Sequence, residues 1–452
     1  MNLVEIKDFG FSYPESSRKV LEHVNLNIKE GTLNVIMGRS GCGKSTLLRQ
    51  LKSVLAPAGE KEGEILYRNI PLRDTDHRTQ SQEIGFVMQN PDNQIVTDKL
   101  WHELAFGLES LGYDNATIRL RVAEMASYFG IHKWFYKNVS ELSGGQKQLL
   151  NLASVMAMHP SLLILDEPTS QLDPIAASDF LETVKKINRD IGTTVLLTEH
   201  RLQDIIPYAD QVFVMDEGTL FMEGTPREIG TKLKEQHHGM FLSMPVPMQI
   251  YAGTDSALTC PLTVSQGRQW IRDYIEEKGI TREQIQQANQ RLAGFTHAQD
   301  NKFPGEAAGS EGKGIFAGLK SKNNTPGPAI QMKGVWFRYE KDSPDVVRDL
   351  SLEVKKGEFY ALVGGNGTGK STTLSLLSRV HQPYKGRIYL EGKDLRSFKD
   401  NQLYCGYLGV MPQNPQSIFL KKTVLEDLYS VIGGKKEKPS KEYSLSMKKE
   451  KA

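Results

Sequence analysis

Long apolar runs are missing from this 452-residue sequence: nowhere do about eighteen apolar residues follow one another, so the chain is expected not to span a membrane by itself. The opening stretch MNLVEIKDFG likewise has no apolar core of the kind a secretory signal needs. Cysteine is scarce. The three present, Cys42, Cys260 and Cys405, lie far apart and make neither a disulfide framework nor a CxxC metal pair, which suits a reducing cytosol. An excess of either charge is also lacking, since 56 Lys and Arg stand against 54 Asp and Glu for a net +2. That balance argues against a dedicated nucleic-acid binder, whose phosphate contacts need a basic face. Only the lysine-rich stretch after Lys435 departs from it. What is there is a globular composition, 39% hydrophobic, in a chain long enough for about three domains of average size.

Two glycine-rich strings stand out, GRSGCGKST at 38–46 and GGNGTGKST at 364–372. Laying one over the other aligns VEIKDFGFSYPESSRKVLEHVNLNIKEG with IQMKGVWFRYEKDSPDVVRDLSLEVKKG in hydrophobic pattern, so the chain carries an internal repeat. Tyr13 precedes Gly38 by 25 positions and Tyr339 precedes Gly364 by the same 25, while Gln89 and Gln413 follow their loops by 51 and 49. Within the first copy, TLNVIM, SLLILD and TTVLLT read as strands, and 45–55 and 176–191 as helices, an α/β pattern. In the second helix Phe180, Val184, Ile187 and Ile191 recur on one face, Pro174 opens it after Asp173, and Gly192 closes it. Further helices are expected at 265–278 and 281–292. A polar Gly/Pro/Ser-rich linker covers 300–328, and the second copy begins near Ala329.

Each glycine string has the form G-x-x-x-x-G-K-S behind an apolar strand and at the start of a helix. Backbone N–H groups in such a loop can wrap phosphates where the helix dipole favours negative charge. Lys44 is then placed to reach the β- and γ-phosphates of a nucleotide, and Ser45 to ligate magnesium; Lys370 and Ser371 hold the same places in the second copy. LLILDEP at 162–168 puts Asp166 and Glu167 at the tip of a buried strand, Asp166 for the magnesium shell and Glu167 to orient or deprotonate a water. LSGGQ at 142–146 is ambiguous alone, because Ser143 serves equally as a helix cap and its glycines as a turn.

Taken in order, the first phosphate loop, Gln89, LSGGQ, LLILDEP, SQLD at 170–173 and His200 resemble the ATP-binding cassette ATPases, over essentially all of residues 1–230. The resemblance implies an α/β fold: a P-loop cassette with a parallel core sheet, an antiparallel β subdomain and a helical subdomain, filling 1–235. Residues 236–299 would be its C-terminal extension, 329–432 a partial second cassette with phosphate loop and glutamine only, and 433–452 a basic tail. ATP and Mg2+ are the implied ligands. Gly38, Arg39, Ser40, Gly41, Cys42, Gly43, Lys44, Ser45 and Thr46 would cradle the phosphates, and Tyr13 would stack on adenine, although an aromatic there also suits cross-strand packing. Gln89 would sense the γ-phosphate and magnesium, His200 would contact the γ-phosphate, and Glu167 would complete the catalytic set. Ser143, Gly144 and Gly145 would touch the γ-phosphate of an ATP held by a different cassette. Asp173 would lie between the two sites, though Asp before Pro is equally a plain helix cap. In the second copy Tyr339, Gly364, Gly369, Lys370, Ser371, Thr372 and Gln413 take the matching positions, with Ser371 as the metal ligand.

QNPDNQIV around Gln89, followed by AFGLES, looks like the cassettes of energy-coupling factor transporters, which import vitamins or metal ions through separate membrane subunits. Simple turn chemistry of Asn-Pro-Asp-Asn is the other reading. The second copy repeats QNPQSIF at 413–419, and two fused cassettes of this type are similar to ATPases for import of a thiamine precursor. The implied function is ATP hydrolysis that drives import of a vitamin, vitamin precursor or metal ion, from the cytoplasmic face of the cell membrane. Its partners would be transmembrane subunits and another cassette, as homodimer or heterodimer, with no nucleic acid. A soluble non-transport cassette ATPase and an inactive nucleotide-binding remnant are the alternatives. Gln171, where alanine is common, and Leu149, where an arginine often follows the signature, depart from the family pattern without removing a group of assigned role. After Gln413 no second signature, carboxylate pair or histidine follows, so no site paired within one chain is complete and a truncated or frame-shifted longer protein is expected. Two first cassettes from two chains would instead make a self-complementary pair.

Overall fold

The computed structural model describes residues 1–287, apart from 15, 17, 237, 238, 282 and 285, and residues 328–427, apart from 342, 366, 413–418 and 422. Gln413, nearly all of the 300–328 linker, most of the helix expected at 281–292 and the 433–452 tail lie outside the described residues. Packing divides the chain into two compact units, the first holding the elements up to residue 277 and the second those from residue 330.

The first unit is built on two sheets. Strands β1 (Asn2–Ser12), β2 (Leu21–Lys29), β4 (Glu60–Tyr67) and β5 (Ile70–Pro71) form an antiparallel sheet in the order β2-β1-β4-β5. β2 alternates buried and exposed side chains along much of its length, as a sheet covered on one face does. The second sheet runs β10 (Thr219–Gly224), β9 (Gln211–Asp216), β3 (Leu33–Gly38), β8 (Thr194–Thr198), β7 (Leu162–Asp166), β6 (Ile84–Val87). All its pairings are parallel except the β10–β9 edge. β3, β7 and β8 are buried at every position, which is why TLNVIM, SLLILD and TTVLLT are almost uninterruptedly apolar.

The two faces of that sheet serve different cores. Leu163, Leu165, Val195, Leu197, Val35 and Met37 pack into one, and the alternating Leu162, Ile164, Leu196, Ile36 and Phe213 into the other. The first is covered by α3 (Leu100–Ser110), α4 (Asn115–Tyr128), α5 (Gly144–Met156) and α6 (Pro174–Lys186), after α1 (Lys44–Gln50) and α2 (His77–Glu83) earlier in the chain. The second holds the antiparallel sheet and α1. α7 (Leu202–Ile205), α8 (Pro226–Glu235), α9 (Val246–Ala252) and α10 (Val264–Glu277) complete the unit, and Met248, Tyr251, Cys260 and Trp270 of the extension join the helix-side core.

Three helical expectations change in detail. α1 stops at Gln50, and Ser53–Leu55 is a separate 3-10 turn. α6 opens as expected, with the Asp173 carboxylate accepting from the Ile175 and Ala176 amides, but its regular part ends at Lys186. Ile187–Ile191 then widens into a π turn before Gly192 closes it at φ +79°, and the widening carries Ile191 off the buried face into solvent.

In the second unit β11 (Ile330–Phe337), β12 (Val347–Val354), β13 (Lys385–Leu390) and β14 (Lys393–Asp394) take the order β12-β11-β13-β14, repeating that of the first antiparallel sheet. Val4 pairs with Ile28, and its counterpart Ile330 pairs with Val354, so the repeat is in register. α11 (Lys370–Leu377) and α12 (Asp400–Gly406) accompany it. The apolar strand expected before the second phosphate loop is not formed: residues 358–363 have no strand partner among the described residues. In the first unit β3 is hydrogen-bonded on both sides, and Leu33 and Met37 are buried; the matching Phe359 and Val363 are 95% and 88% exposed. A strand hydrogen-bonds only to a neighbour, and an apolar sequence alone does not make one.

Candidate active site

The carboxyl ends of β3, β7 and β8 converge, as binding sites in open α/β sheets do. β3 delivers the loop 38–45. Gly43 at φ +99° caps α1 in a conformation that a side chain would strain, and a β-carbon at Gly38 would collide with the Met215 carbonyl and the Cys42 sulfur. The Lys44 ammonium is buried inside this loop and donates to the carbonyls of Gly38 at 2.9 Å and Arg39 at 3.0 Å. Tyr13 packs edge-on against Phe11 with its ring partly exposed, and its hydroxyl lies 3.2 Å from Thr46 Oγ1. Tyr13 is thus held by Phe11 of β1 and by α1, with part of its ring left exposed.

β7 delivers the carboxylates. Asp166 is buried, and its Oδ1 accepts from Ser45 Oγ at 2.8 Å and from Thr198 Oγ1 at 3.1 Å. Burial pushes the Asp166 carboxyl up, against the opposing pull of those two hydroxyls. Glu167 adopts φ +45°, a conformation uncommon outside glycine, and its amide donates to Thr198 Oγ1 at 2.9 Å. Its side chain is clasped on both oxygens: Gln89 Nε2 donates to Oε2 at 3.1 Å, and His200 Nε2 sits 2.9 Å from Oε1. Lys44, Ser45, Gln89, Asp166, Glu167 and His200, spread over 156 positions of sequence, thus stand within one connected arrangement.

Among the described residues no group of three His, Cys, Asp or Glu side chains could hold a metal ion by itself. The oxygens of Ser45 and Asp166 are nonetheless hard donors in contact with each other, and magnesium is commonly held by one or two carboxylates with phosphate oxygens and waters supplying the rest. The residues present fit such an ion bound together with a nucleotide.

Ser143 and Asp173 each stand at the start of a helix, and Gly144 and Gly145 lie in the first turn of α5. Ser143 is the N-cap of α5: its hydroxyl accepts from the Gln146 amide, and Gln146 reaches back to the Ser143 amide. Asp173 caps α6. For both, the capping reading describes the local geometry. Asn-Pro-Asp-Asn is likewise a turn, with the Asn90 side chain accepting from the Asp92 amide, but it is also tied to α5. Lys147 Nζ meets Asp92 Oδ1 at 2.7 Å, Gln148 Nε2 donates to the Met88 carbonyl at 3.1 Å, and Asn151 Nδ2 to that of Pro91 at 3.3 Å.

The second unit repeats two details. Tyr339 and Thr372 hydroxyls lie 3.0 Å apart, and Lys370 Nζ donates to the Gly364 carbonyl at 2.8 Å. Gly369 caps α11 at φ +85°, and Ser371 and Thr372 follow Lys370 in its first turn.

Three functional candidates escaped the sequence reading. Thr198 joins the two carboxylate residues, and Thr169 and Glu199 form a buried link behind them. The available signal was a polar pair, Thr198 and Glu199, at the end of the apolar run TTVLLT, where a buried polar group needs a partner.

A parallel sheet carrying a phosphate loop, a carboxylate pair and a histidine on adjacent strand ends defines a P-loop nucleotide hydrolase of the cassette type. The chain belongs to the ABC transporter family: the sequence model so described matches residues 21–170 and 347–451. It is an ATPase of that family and binds ATP. A Bacillus anthracis protein provisionally named an ABC transporter ATP-binding protein is 33% identical over 425 residues, 94% of this chain and 70% of its own length. A Bacillus subtilis protein provisionally named an HMP/thiamine import ATP-binding protein is 28% identical over 431 residues, again 94% of this chain and 70% of its own length. Among solved structures, cbiO1 of Clostridium perfringens, part of the ABC transporter complex cbiONQ, is 30% identical with TM-score 0.47, over 55% of this chain and 98% of its own.

Cys42 offers a probe of the loop. It is buried, and desolvation pushes its thiol up despite the pull of the nearby Lys44 ammonium. Alkylation should be slow at neutral pH, rise as pH rises, and slow further when ATP is added. Mass-spectrometric labelling rates that ignore ATP would remove Cys42 from the nucleotide site.

Proposed function

We propose that this ATPase energises an energy-coupling factor type importer of a vitamin, vitamin precursor or metal ion, from a peripheral position on the cytoplasmic face of the membrane. The observation that carries this reading is the relative named for HMP/thiamine import, which aligns with 94% of this chain. The QNPDNQIV surroundings of Gln89 support it. No helix among the described residues is long and apolar enough to cross a membrane.

In this reading the amides of residues 38–46 and the Lys44 ammonium hold the phosphates, and Tyr13 faces the base. Glu167 holds the attacking water and takes its proton, while Gln89 and His200 fix the carboxylate and meet the γ-phosphate side. Ser45, Gln89 and Asp166 would hold Mg2+, which when bound supplies charge neutralisation at the phosphates. Ser143, Gly144 and Gly145, at the N-terminus of α5, and Asp173 would face the nucleotide of another cassette, in a second copy of this chain or a different one. Tyr339, Gly364, Gly369, Lys370, Ser371 and Thr372 would bind a second nucleotide.

Two measurements test the proposal. Specific ATPase activity of the purified chain should rise with protein concentration as cassettes pair, and the chain should fractionate with membranes that contain its transmembrane subunits. Co-sedimentation with ribosomes in place of membranes would establish the soluble alternative.

A further inference from the structure

Behind the proposed catalytic groups lies a buried carboxylate that no motif singles out. Glu199 is 4% exposed, and its Oε1 accepts three hydrogen bonds: from Thr169 Oγ1 at 2.8 Å, from the His200 amide at 2.9 Å and from the Arg201 amide at 3.2 Å. Thr169 is itself buried, two positions after Glu167 on the segment leaving β7; His200 and Arg201 follow β8. One oxygen therefore ties the loop that carries the carboxylate pair to the loop that carries the histidine. Its other oxygen, Oε2, is buried with no hydrogen-bond partner among the described residues. Burying a carboxylate is expensive, and removing it would leave a hydroxyl and two amides without an acceptor.

We propose that Glu199 is a positioning residue for ATP hydrolysis, holding the His200 backbone against the Glu167 loop so that His200 Nε2 stays within reach of Glu167. The side chains of Glu167 and His200 meet at 2.9 Å, but the described contacts that set the histidine's backbone run to Glu199. Without that acceptor the His200 backbone would lose its tie to the segment that carries Glu167, and displacements of about 1 Å in such arrangements can cost as much as a hundredfold in rate. This inference rests on the reading of Glu167 and His200 given above.

The test compares Glu199→Ala, Glu199→Gln and Thr169→Val with wild type, measuring kcat, KM and binding of a fluorescent ATP analogue. Glu199→Ala should lower kcat by about tenfold to a hundredfold with nucleotide affinity unchanged. Glu199→Gln, which keeps a carbonyl oxygen where Oε1 stands, should stay within about threefold of wild type, and Thr169→Val should fall between the two. In a His200→Ala background the Glu199→Ala loss should shrink, because the group it positions is gone. An unchanged kcat in Glu199→Ala beside an inactive Glu167→Gln control overturns the positioning role alone. So does a Glu199→Gln variant as impaired as Glu199→Ala, or a loss confined to nucleotide affinity or thermal stability. An active Glu167→Gln control overturns the catalytic reading, and this inference with it.

Discussion

Glu167→Gln is expected to lower ATP turnover by about a hundredfold or more while ATP remains bound, the loss typical of removing a general base. Glutamine matches glutamate in shape, so the partners on both oxygens, Gln89 and His200, keep something to meet. What it cannot do is accept a proton from water. The measurement is single-turnover hydrolysis beside equilibrium nucleotide binding. Turnover at the wild-type rate would show that another group handles the water, and the φ +45° backbone at Glu167 would then need a different explanation.

The second large effect concerns Lys44. Its ammonium is buried and satisfied by two carbonyls of its own loop, so a phosphate has to compete with those carbonyls. Lys44→Ala removes the charge that makes the exchange favourable. Hydrogen bonds to charged groups contribute about 1.5–3 kcal/mol, so nucleotide affinity should fall by roughly tenfold to a hundredfold, and hydrolysis should be lost with it. Because Lys44 touches mainly its own loop, unfolding by denaturant should change little. An affinity within about twofold of wild type would place the phosphates elsewhere. The same substitution at Lys370 should leave binding at the first site untouched, since each ammonium answers to its own loop.

The first unit was largely legible because its chemistry and its strands coincide. Each apolar run buried on both faces ends in a group of special type: LNVIM in the glycine loop, LLIL in Asp166 and Glu167, TVLLT just before His200. Reading the run gives the strand, and reading its end gives the candidate residues that the fold brings together. The order of strands was less accessible, because β3 lies between β8 and β9 through pairings that span more than 150 positions. The second unit shows the limit. Residues 358–363 carry the same apolar pattern as β3, yet a strand is a relation between neighbours, and the sequence of one segment does not state whether neighbours are present. Ile191 missed its face for a local reason, since one wide turn breaks a 3.6-residue count. Glu199 and Thr169 went unread because hydrogen bonding between two loops has no period at all.

The alternation along β7 has a mechanical meaning. Leu163 and Leu165 press into the layer of helices, and Leu162 and Ile164 into the layer that contains the antiparallel sheet. Interiors packed to crystal-like density transmit displacement instead of absorbing it. A strand gripped from both sides can neither slide along its axis nor roll about it without opening a gap on one side and a clash on the other. It therefore acts as a clamped beam, with Asp166 at its end and Glu167 directly beyond it. The place of the two carboxylates is set by the mass of the whole unit, and the loops that carry Gln89 and His200 have only to set the aim of Glu167 from there.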